Sequence, residues 1–184
     1  MTAPESAISE SMNVGVVLER RRLDDPWRDH AWHAVEVVPG AAADISWREL
    51  GKDEDSVRYL AATLPIEMFR KETESYRINV TGQNPRVFVV LRPEPESPPG
   101  REMRPFLATV CPFEAGSYGQ SEDETVDAVP MPDEIRAWVE DFIARHHVVE
   151  PFVKRQRDRA DPDKSGFGRR GPGGGGPAGE GRRG

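Results

Sequence analysis

The stretch Arg86–Arg92 constrains the fold more than any other part of this sequence. It reads RVFVVLR, and four of its five consecutive apolar residues are β-branched or aromatic. A strand with one solvated face would alternate polar and apolar side chains, which this stretch does not do. The pattern therefore predicts a central strand that is covered on both faces. We expect the strands before and after it to be its neighbours, and a later helix to cover one face.

Other apolar or alternating runs predict the remaining strands, at residues 13–23, 30–38, 57–69, 76–80, 106–113 and 126–129. Pro65 lies inside the long run 57–69, which predicts an edge position or a bulge at that point. A rival interpretation begins a helix at Pro65 and continues it through Glu74. Residues 41–56 are expected to form a loop or irregular piece, with Trp47 and Leu50 held against the core.

One helix is predicted near the end of the domain. Its apolar residues recur at intervals of three and four and form a single stripe made of Ile135, Trp138, Val139, Phe142 and Ile143. A stripe of this kind needs a sheet to lie on. We therefore predict an α+β fold that is mainly β: an antiparallel meander or half-barrel of about six to seven strands, closed by one C-terminal amphipathic helix.

The two ends of the chain differ from the middle in composition. Residues 1–11 are small and polar, and residues 154–184 contain ten glycines. Neither segment can bury enough apolar surface to offset its chain entropy, so both are predicted to be disordered. Residues 12–153 then form a single globular domain.

Charge and hydropathy restrict the classes of function. The whole chain carries −7 and residues 154–184 carry +5, so residues 1–153 carry −12. An acidic domain does not suit binding to duplex nucleic acid, which needs a basic face. The sequence has neither an apolar run of membrane-spanning length nor a secretory signal. We therefore expect a cytoplasmic protein that does not enter a membrane.

The histidines and the one cysteine do not form a chemical motif. His30 and His33 point to opposite faces of a predicted strand, and His146 and His147 diverge on a helix. Neither pair has chelating spacing, so no metal site and no cofactor are predicted. A His30–His147 site assembled by the fold stays open. Cys111 lies in an apolar run and is interpreted as a buried structural thiol.

Trp27 and Trp32 are the first candidates for a binding surface. They flank charged residues and His30 near a predicted turn, and strand alternation places Trp32 on the same face as Glu36. A partly exposed tryptophan pair beside a histidine and charged groups is a plausible anchor for a protein partner. The alternative interpretation is that both rings fill the core.

A second set of candidates would suit an enzyme or a cofactor-binding protein. In this hypothesis His30 or His33 acts as an acid–base group, and Arg70 or Arg77 clamps an anion in the cup of the half-barrel. A third hypothesis assigns weak RNA binding to the arginine and glycine units of the tail, 169–171 and 182–184. The sequence alone does not identify a reaction.

Several stretches together resemble a family of uncharacterised bacterial proteins of unknown function. They are GVVLERR at 15–21, PWRDHAW at 26–32, ATLPIE at 62–67, RKETESYR at 70–77, AWV at 137–139 and HHV at 146–148. The resemblance covers about residues 12–157. Genes of that family typically lie beside those of formate dehydrogenase and its molybdenum-cofactor and chaperone accessory factors.

The resemblance implies an accessory role near a molybdenum oxidoreductase, with the molybdoenzyme or its chaperone as protein partner. It supplies no functional residue, because the family has no assigned activity. Together with the absence of a catalytic motif, it favours a non-catalytic, protein-binding accessory factor that supports formate dehydrogenase assembly or regulation.

Overall fold

A computed structural model describes residues 8–43, 46–120 and 123–148 of the chain. These residues form seven strands, three helices and one 3-10 turn at Arg70–Glu72. The strands are β1 Ser9–Arg22, β2 His30–Pro39, β3 Ser46–Lys52, β4 Ser56–Phe69, β5 Arg86–Pro93, β6 Met103–Thr109 and β7 Thr125–Pro130. The helices are α1 Thr73–Thr81, α2 Pro112–Tyr118 and α3 Asp133–His146.

The strands form two antiparallel sheets rather than one meander. The four-stranded sheet has the order β2-β1-β4-β3, and the three-stranded sheet has the order β6-β5-β7. Strand β1 lies inside the first sheet, between β2 and β4. Its residues 14–19 are buried in succession, as expected for a strand that is covered on both faces. The predicted class, mainly antiparallel β with a C-terminal helix, is confirmed.

The predicted central strand is also confirmed. Strand β5 pairs with β6 on one side and with β7 on the other. Val87, Val89 and Leu91 join the common core, and Val90 on the opposite face is also fully buried. Helix α2 packs against β5, β6 and β7. Its buried residue Ala115 marks the side that faces the sheet.

Both sheets share one core with α1 and α3. The apolar stripe of α3 faces this core: Ile135, Val139 and Phe142 are buried, as predicted. The ring of Phe142 packs edge-on against Tyr76 of α1, with 6.3 Å between their centroids. Side chains of both sheets and both helices contribute to this core, which occupies the place where a half-barrel would have its cup.

Helix α3 is also fastened to the first strand by polar contacts. Glu10 accepts hydrogen bonds from Trp138 Nε1 at 3.0 Å and from Arg145 Nη1 at 2.7 Å. The bond from Arg145 is the main reason that the pKa of Glu10 lies below its usual value.

Glu10 belongs to a segment predicted to be a disordered terminus, yet residues 9–11 pair with β4. Residues 154–184, the predicted disordered tail, lie outside the described residues.

Three local predictions are wrong. Residues 76–80 form the second half of helix α1 instead of a strand, so they are not a neighbour of β5. Residues 46–52 form the edge strand β3 instead of a loop. The predicted strand 106–113 ends at Thr109, and Pro112 begins α2.

The long strand β4 runs through Phe69, so the rival helix beginning at Pro65 is wrong. The prediction of an edge position at Pro65 is confirmed locally. Pro65 pairs with Asn13 of β1, whereas β3 pairs with β4 only from Ala62 back towards Val57. The missing N–H of Pro65 therefore leaves no ladder bond to β3 unmade. Among the described helices, none is both long and apolar enough to span a lipid bilayer.

The side chain of Asn79 holds the last turn of α1 against the three-stranded sheet. Its Nδ2 donates to the backbone oxygens of Arg86 and Val110, each at 2.8 Å, and its Oδ1 accepts from the N–H of Arg86 at 2.9 Å. The side chain therefore satisfies backbone groups at the start of β5 and just after β6. The bond to Val110 is buried and the two bonds to Arg86 are partly buried.

We expect Asn79→Ala to lower the free energy of unfolding by about 2–4 kcal/mol, because it leaves three partly buried backbone groups without partners. Urea melts measure the difference. The matched control is Asn84→Ala in the exposed loop that follows α1, which should change stability by about 0.5 kcal/mol or less. Equal effects of the two substitutions would contradict this role for Asn79.

Candidate functional site

Two turns meet at one end of the four-stranded sheet. The first, residues 23–29, joins β1 to β2, and the second, residues 53–55, joins β3 to β4. They are neighbours because Arg22 pairs with His30, and the N–H of Arg22 donates to the backbone oxygen of Asp55 at 2.7 Å. We call this region, residues 21–30 and 53–56, the hairpin end.

Trp27 lies in the first turn, and its side chain is almost fully exposed, at 90%. The turn has its own hydrogen bonds: the N–H of Trp27 donates to Asp25 Oδ1 at 2.7 Å, and the N–H of Leu23 donates to the oxygen of Asp29 at 2.9 Å. The short polar side chain of Asp25 thus fixes the local backbone, as aspartates commonly do in turns. The result is a large aromatic ring held in solvent at the end of a hairpin.

Trp32 lies on a different face from the one that simple alternation predicts. Val17 pairs with Glu36 and Leu18 pairs with Ala34, so Val35 is an extra residue in β2. This bulge reverses the alternation along β2. Trp32 therefore shares the core-facing side of the sheet with Ala34, and Glu36 faces the other way. The prediction that Trp32 and Glu36 share a face is wrong.

Trp32, Trp47 and Tyr59 form a group that we call the aromatic cluster. Ring centroids are 5.7 Å apart for Trp32 and Trp47, 5.7 Å for Trp47 and Tyr59, and 6.0 Å for Trp32 and Tyr59. Two of the three contacts are edge-to-face, an arrangement that aromatic quadrupoles favour. Arg20 lies over the ring of Trp32 and Arg101 over the ring of Trp47, at 5.9 and 5.5 Å. The cluster closes the core near the hairpin end and is partly buried.

Glu102 ties the aromatic cluster to the link before β6. Its carboxylate accepts from Trp32 Nε1 at 3.2 Å and from the N–H of Gly100 at 2.6 Å. Burial alone would raise the pKa of Glu102, but these donors, its own N–H and the charge of Arg20 together hold it below the usual value. Gly100 has φ +87°, a backbone conformation that residues with a side chain rarely adopt, so the position favours glycine.

The acid–base and anion-clamp candidates lie at opposite ends of β1. His30 pairs with Arg22 at one end, and Phe69, which precedes Arg70, pairs with Ser9 at the other. Thirteen residue steps of strand separate these ends by about 40 Å. The structure therefore does not bring His30 and Arg70 together.

The other candidates are also apart. His33 Nδ1 lies 3.2 Å from Asp127 Oδ1 of β7, whereas Arg77 forms an ion pair with Glu74 at 2.6 Å on α1. His147 lies 3.1 Å from Thr73 Oγ1, so it stands with the helices, far from His30. The His30–His147 site left open by the sequence is not assembled.

The chemistry of the remaining candidates is structural. Cys111 is buried, as predicted, and its sulfur caps α2 by accepting from the N–H of Glu114 at 3.4 Å. Across residues 8–43, 46–120 and 123–148, no group of three or more His, Cys, Asp and Glu side chains is placed to hold a metal ion.

A groove opens between the two turns of the hairpin end. Its volume is about 640 Å³, and we call it the hairpin groove. Its walls consist of Arg21, Arg22, Leu23, Asp24, Asp53, Glu54, Asp55 and Ser56. The sequence marks both segments only as polar turns. The signal that would have found the groove is the antiparallel pairing of β1 with both β2 and β4, which brings the two turns to the same end.

Comparison with known proteins places the chain in a family without a known activity. Residues 13–156 match the family described as "Protein of unknown function (DUF3305)". No curated protein and no solved structure matches the chain.

The two candidate tryptophans should differ in their effect on stability. We expect Trp32→Ala to lower the free energy of unfolding by about 2–4 kcal/mol, because the ring packs in the aromatic cluster and donates to Glu102. Trp27→Ala removes a solvated ring and should change it by about 0.5 kcal/mol or less. Urea melts of the two variants at unchanged slope provide the comparison. A small loss for Trp32→Ala would mean that the cluster does not stabilise the domain.

The lowered pKa of Glu102 predicts a pH dependence. A carboxyl group with a depressed pKa contributes its stabilisation above its unfolded value of about 4.3 and loses it as the pH falls through the folded value. We expect the Trp32 indole N–H resonance to titrate below about pH 4.3 in the wild type and to lose this step in Glu102→Gln. A midpoint above 4.3 would show that burial outweighs the donors.

Proposed function

The chain belongs to the DUF3305 family of proteins of unknown function, and we propose that it is a non-catalytic, protein-binding accessory factor that uses its hairpin end as the contact surface. The observation that carries this proposal is the 90% exposure of Trp27 on a hydrogen-bonded turn. Tryptophan is among the residues most enriched at the energetic centres of protein interfaces.

Because the ring of Trp27 is exposed in the folded chain, the free energy of burying it is still available for binding a partner. Full burial of an aromatic side chain removes about 150–250 Å² from water. At about 25 cal/mol per Å², this area corresponds to roughly 4–6 kcal/mol before the costs of association are subtracted. A net effect of about 2 kcal/mol or more is the scale of an interface hot spot.

The structure behind the turn keeps the ordering cost of binding low. Trp27 stands on a turn closed by the bond between Leu23 and Asp29, and the aromatic cluster packs Trp32 near the start of β2. A contact surface that is already ordered loses less conformational freedom when a partner binds. This preorganisation supports binding rather than a conformational switch at the hairpin end.

The identity of the partner rests on the resemblance of the sequence to a family whose genes lie beside those of formate dehydrogenase. This resemblance favours formate dehydrogenase, or a chaperone of its assembly, as the protein that contacts the hairpin end in the cytoplasm. An enzymatic role for His30, His33, Arg70 and Arg77 lacks geometric support, because β1 separates the histidines from the arginines. RNA binding by the tail concerns residues outside the described ranges and stays a prediction.

A pull-down from cells that express the chain at its native level tests the binding surface. We expect Trp27→Ala to reduce recovery of the partner by about tenfold or more, which corresponds to about 1.4 kcal/mol. Phe113→Ala is the matched control. Phe113 is also an exposed aromatic residue (66%), and it lies on helix α2, which packs against the three-stranded sheet. This control should leave recovery unchanged. Recovery by Trp27→Ala equal to that of the wild type would overturn the proposal.

A deletion strain tests the partner. We expect loss of the gene to lower formate dehydrogenase activity and the yield of mature subunits, and the wild-type chain to restore both. Trp27→Ala should restore them less well than Phe113→Ala. Unchanged activity and maturation in the deletion strain would exclude formate dehydrogenase as the client.

A further inference from the structure

The hairpin groove and Trp27 form one continuous part of the hairpin end. Leu23 and Asp24 line the groove, and Trp27 follows in the same seven-residue turn. A groove of about 640 Å³ falls within the range of about 300–1,000 Å³ that is usual for ligand sites. The surface therefore offers both a recess and a protruding aromatic ring to one partner.

The charge of the groove indicates what can enter it. Four carboxylates lie in its walls, on Asp24, Asp53, Glu54 and Asp55, against two arginines. Arg21 is already paired with Glu19 at 3.2 Å, which leaves Arg22 as the lining arginine that forms no ion pair among the described residues. Negative charge thus exceeds positive charge in the groove, which attracts a cationic segment and repels an anionic one.

The carboxylates are available to a partner. Among the ion pairs and hydrogen bonds of the described residues, Asp53 accepts from Ser56 Oγ at 3.4 Å, and the side chains of Asp24, Glu54 and Asp55 take no part. The backbone beneath them is held by the bond from the N–H of Asp53 to the oxygen of Ser56 at 2.8 Å and by the bond from Arg22 to Asp55. The acids therefore stand on a fixed turn and face solvent.

We propose that the hairpin end binds an arginine-bearing segment of its partner, with one guanidinium in the hairpin groove and a second stacked on the ring of Trp27. The planar guanidinium can bond two carboxylate oxygens at once, and it stacks on aromatic faces better than other cations. This inference rests on the proposed function and names the chemistry of the partner. The partner is a basic peptide segment of a protein. The described His, Cys, Asp and Glu side chains are not grouped to hold a metal ion, and the excess of negative charge opposes an anionic ligand.

Fluorescence anisotropy of a labelled peptide, Gly-Arg-Gly-Arg-Gly-Arg, mixed with the full chain tests the inference. We expect saturable binding that weakens by about tenfold or more when each arginine is replaced by the neutral isostere citrulline. Glu54→Gln/Asp55→Asn should weaken binding by a similar factor, and Trp27→Ala by about threefold or more.

The control is Glu36→Gln/Glu67→Gln, which removes the same number of charges from exposed positions on β2 and β4. It should change peptide affinity by about twofold or less, since distant exposed charges are screened. Equal losses in the two double variants would show that only the net charge of the domain matters, and would overturn the inference. Binding of the citrulline peptide as tight as that of the arginine peptide would also overturn it.

The pull-down separates this inference from the proposed function. If Trp27→Ala loses the partner but Glu54→Gln/Asp55→Asn recovers it fully, the hairpin end is the contact surface and the basic-segment inference is wrong. If the arginine peptide binds the groove and Trp27→Ala still recovers the partner, the basic-segment site stands and the proposed function fails. Loss of the partner in both variants, with recovery in the Glu36→Gln/Glu67→Gln control, supports both.

Discussion

The unbroken burial of β1 from Val14 to Glu19 is the constraint on which the structure depends. A strand buried on both faces must have partners on both edges and cover above and below, since buried N–H and C=O groups need hydrogen bonds. Strands β2 and β4 satisfy its edges. The three-stranded sheet and helices α1 and α3 supply cover on the core side. The pairing of β1 also places His30 and Trp32 near one of its ends and Phe69, which precedes Arg70, at the other.

This arrangement divides the domain into two chemically different ends. At one end, the close contacts of Glu10, Trp138 and Arg145 join the first strand to the last described helix. At the other, the aromatic cluster closes the core, and charged turns with Trp27 stand in solvent. Glu10, Trp138 and Arg145 at the first end bond to each other, whereas the side chains of Asp24, Glu54 and Asp55 at the hairpin end take no part in the hydrogen bonds and ion pairs of the described residues. This contrast favours the hairpin end as the binding surface.

The parts of the fold that were predictable from sequence are those whose periodicity is long or unbroken. The five apolar residues of β5 and the stripe from Ile135 to Ile143 each allow one interpretation. Residues 76–80 were predicted to be a strand, and they form a helix. Tyr76, Ile78 and Val80 alternate like a strand, but Ile78 is 49% exposed and the buried set is Tyr76, Asn79 and Val80, which is helical spacing. The role of Asn79 depends on its bonds to the backbone of Arg86 and Val110, which local periodicity does not indicate.

The candidate site was predictable in composition but not in geometry. The sequence singles out Trp27 and Trp32 together, and the bulge at Val35 separates them, because one extra residue turns Trp32 towards the core. A bulge leaves no mark in apolar periodicity over so short a strand. Likewise, Asp24 and the acidic turn 53–55 are distant in sequence and become one groove only through the pairing of β1 with β2 and β4. Site geometry of this kind depends on strand register, which local sequence does not specify.

The contact between Glu10 and Arg145 has a consequence for biosynthesis. The two residues are 135 positions apart, and β1 itself pairs with residues as distant as Phe69. Folds dominated by such distant pairings form slowly, because the entropy of closing long loops is lost before the contacts compensate for it. On the ribosome, β1 is synthesised before α3, so the core side of β1 lacks the cover of α3 until that helix has emerged. Apolar surface left exposed in this interval favours aggregation of the nascent chain.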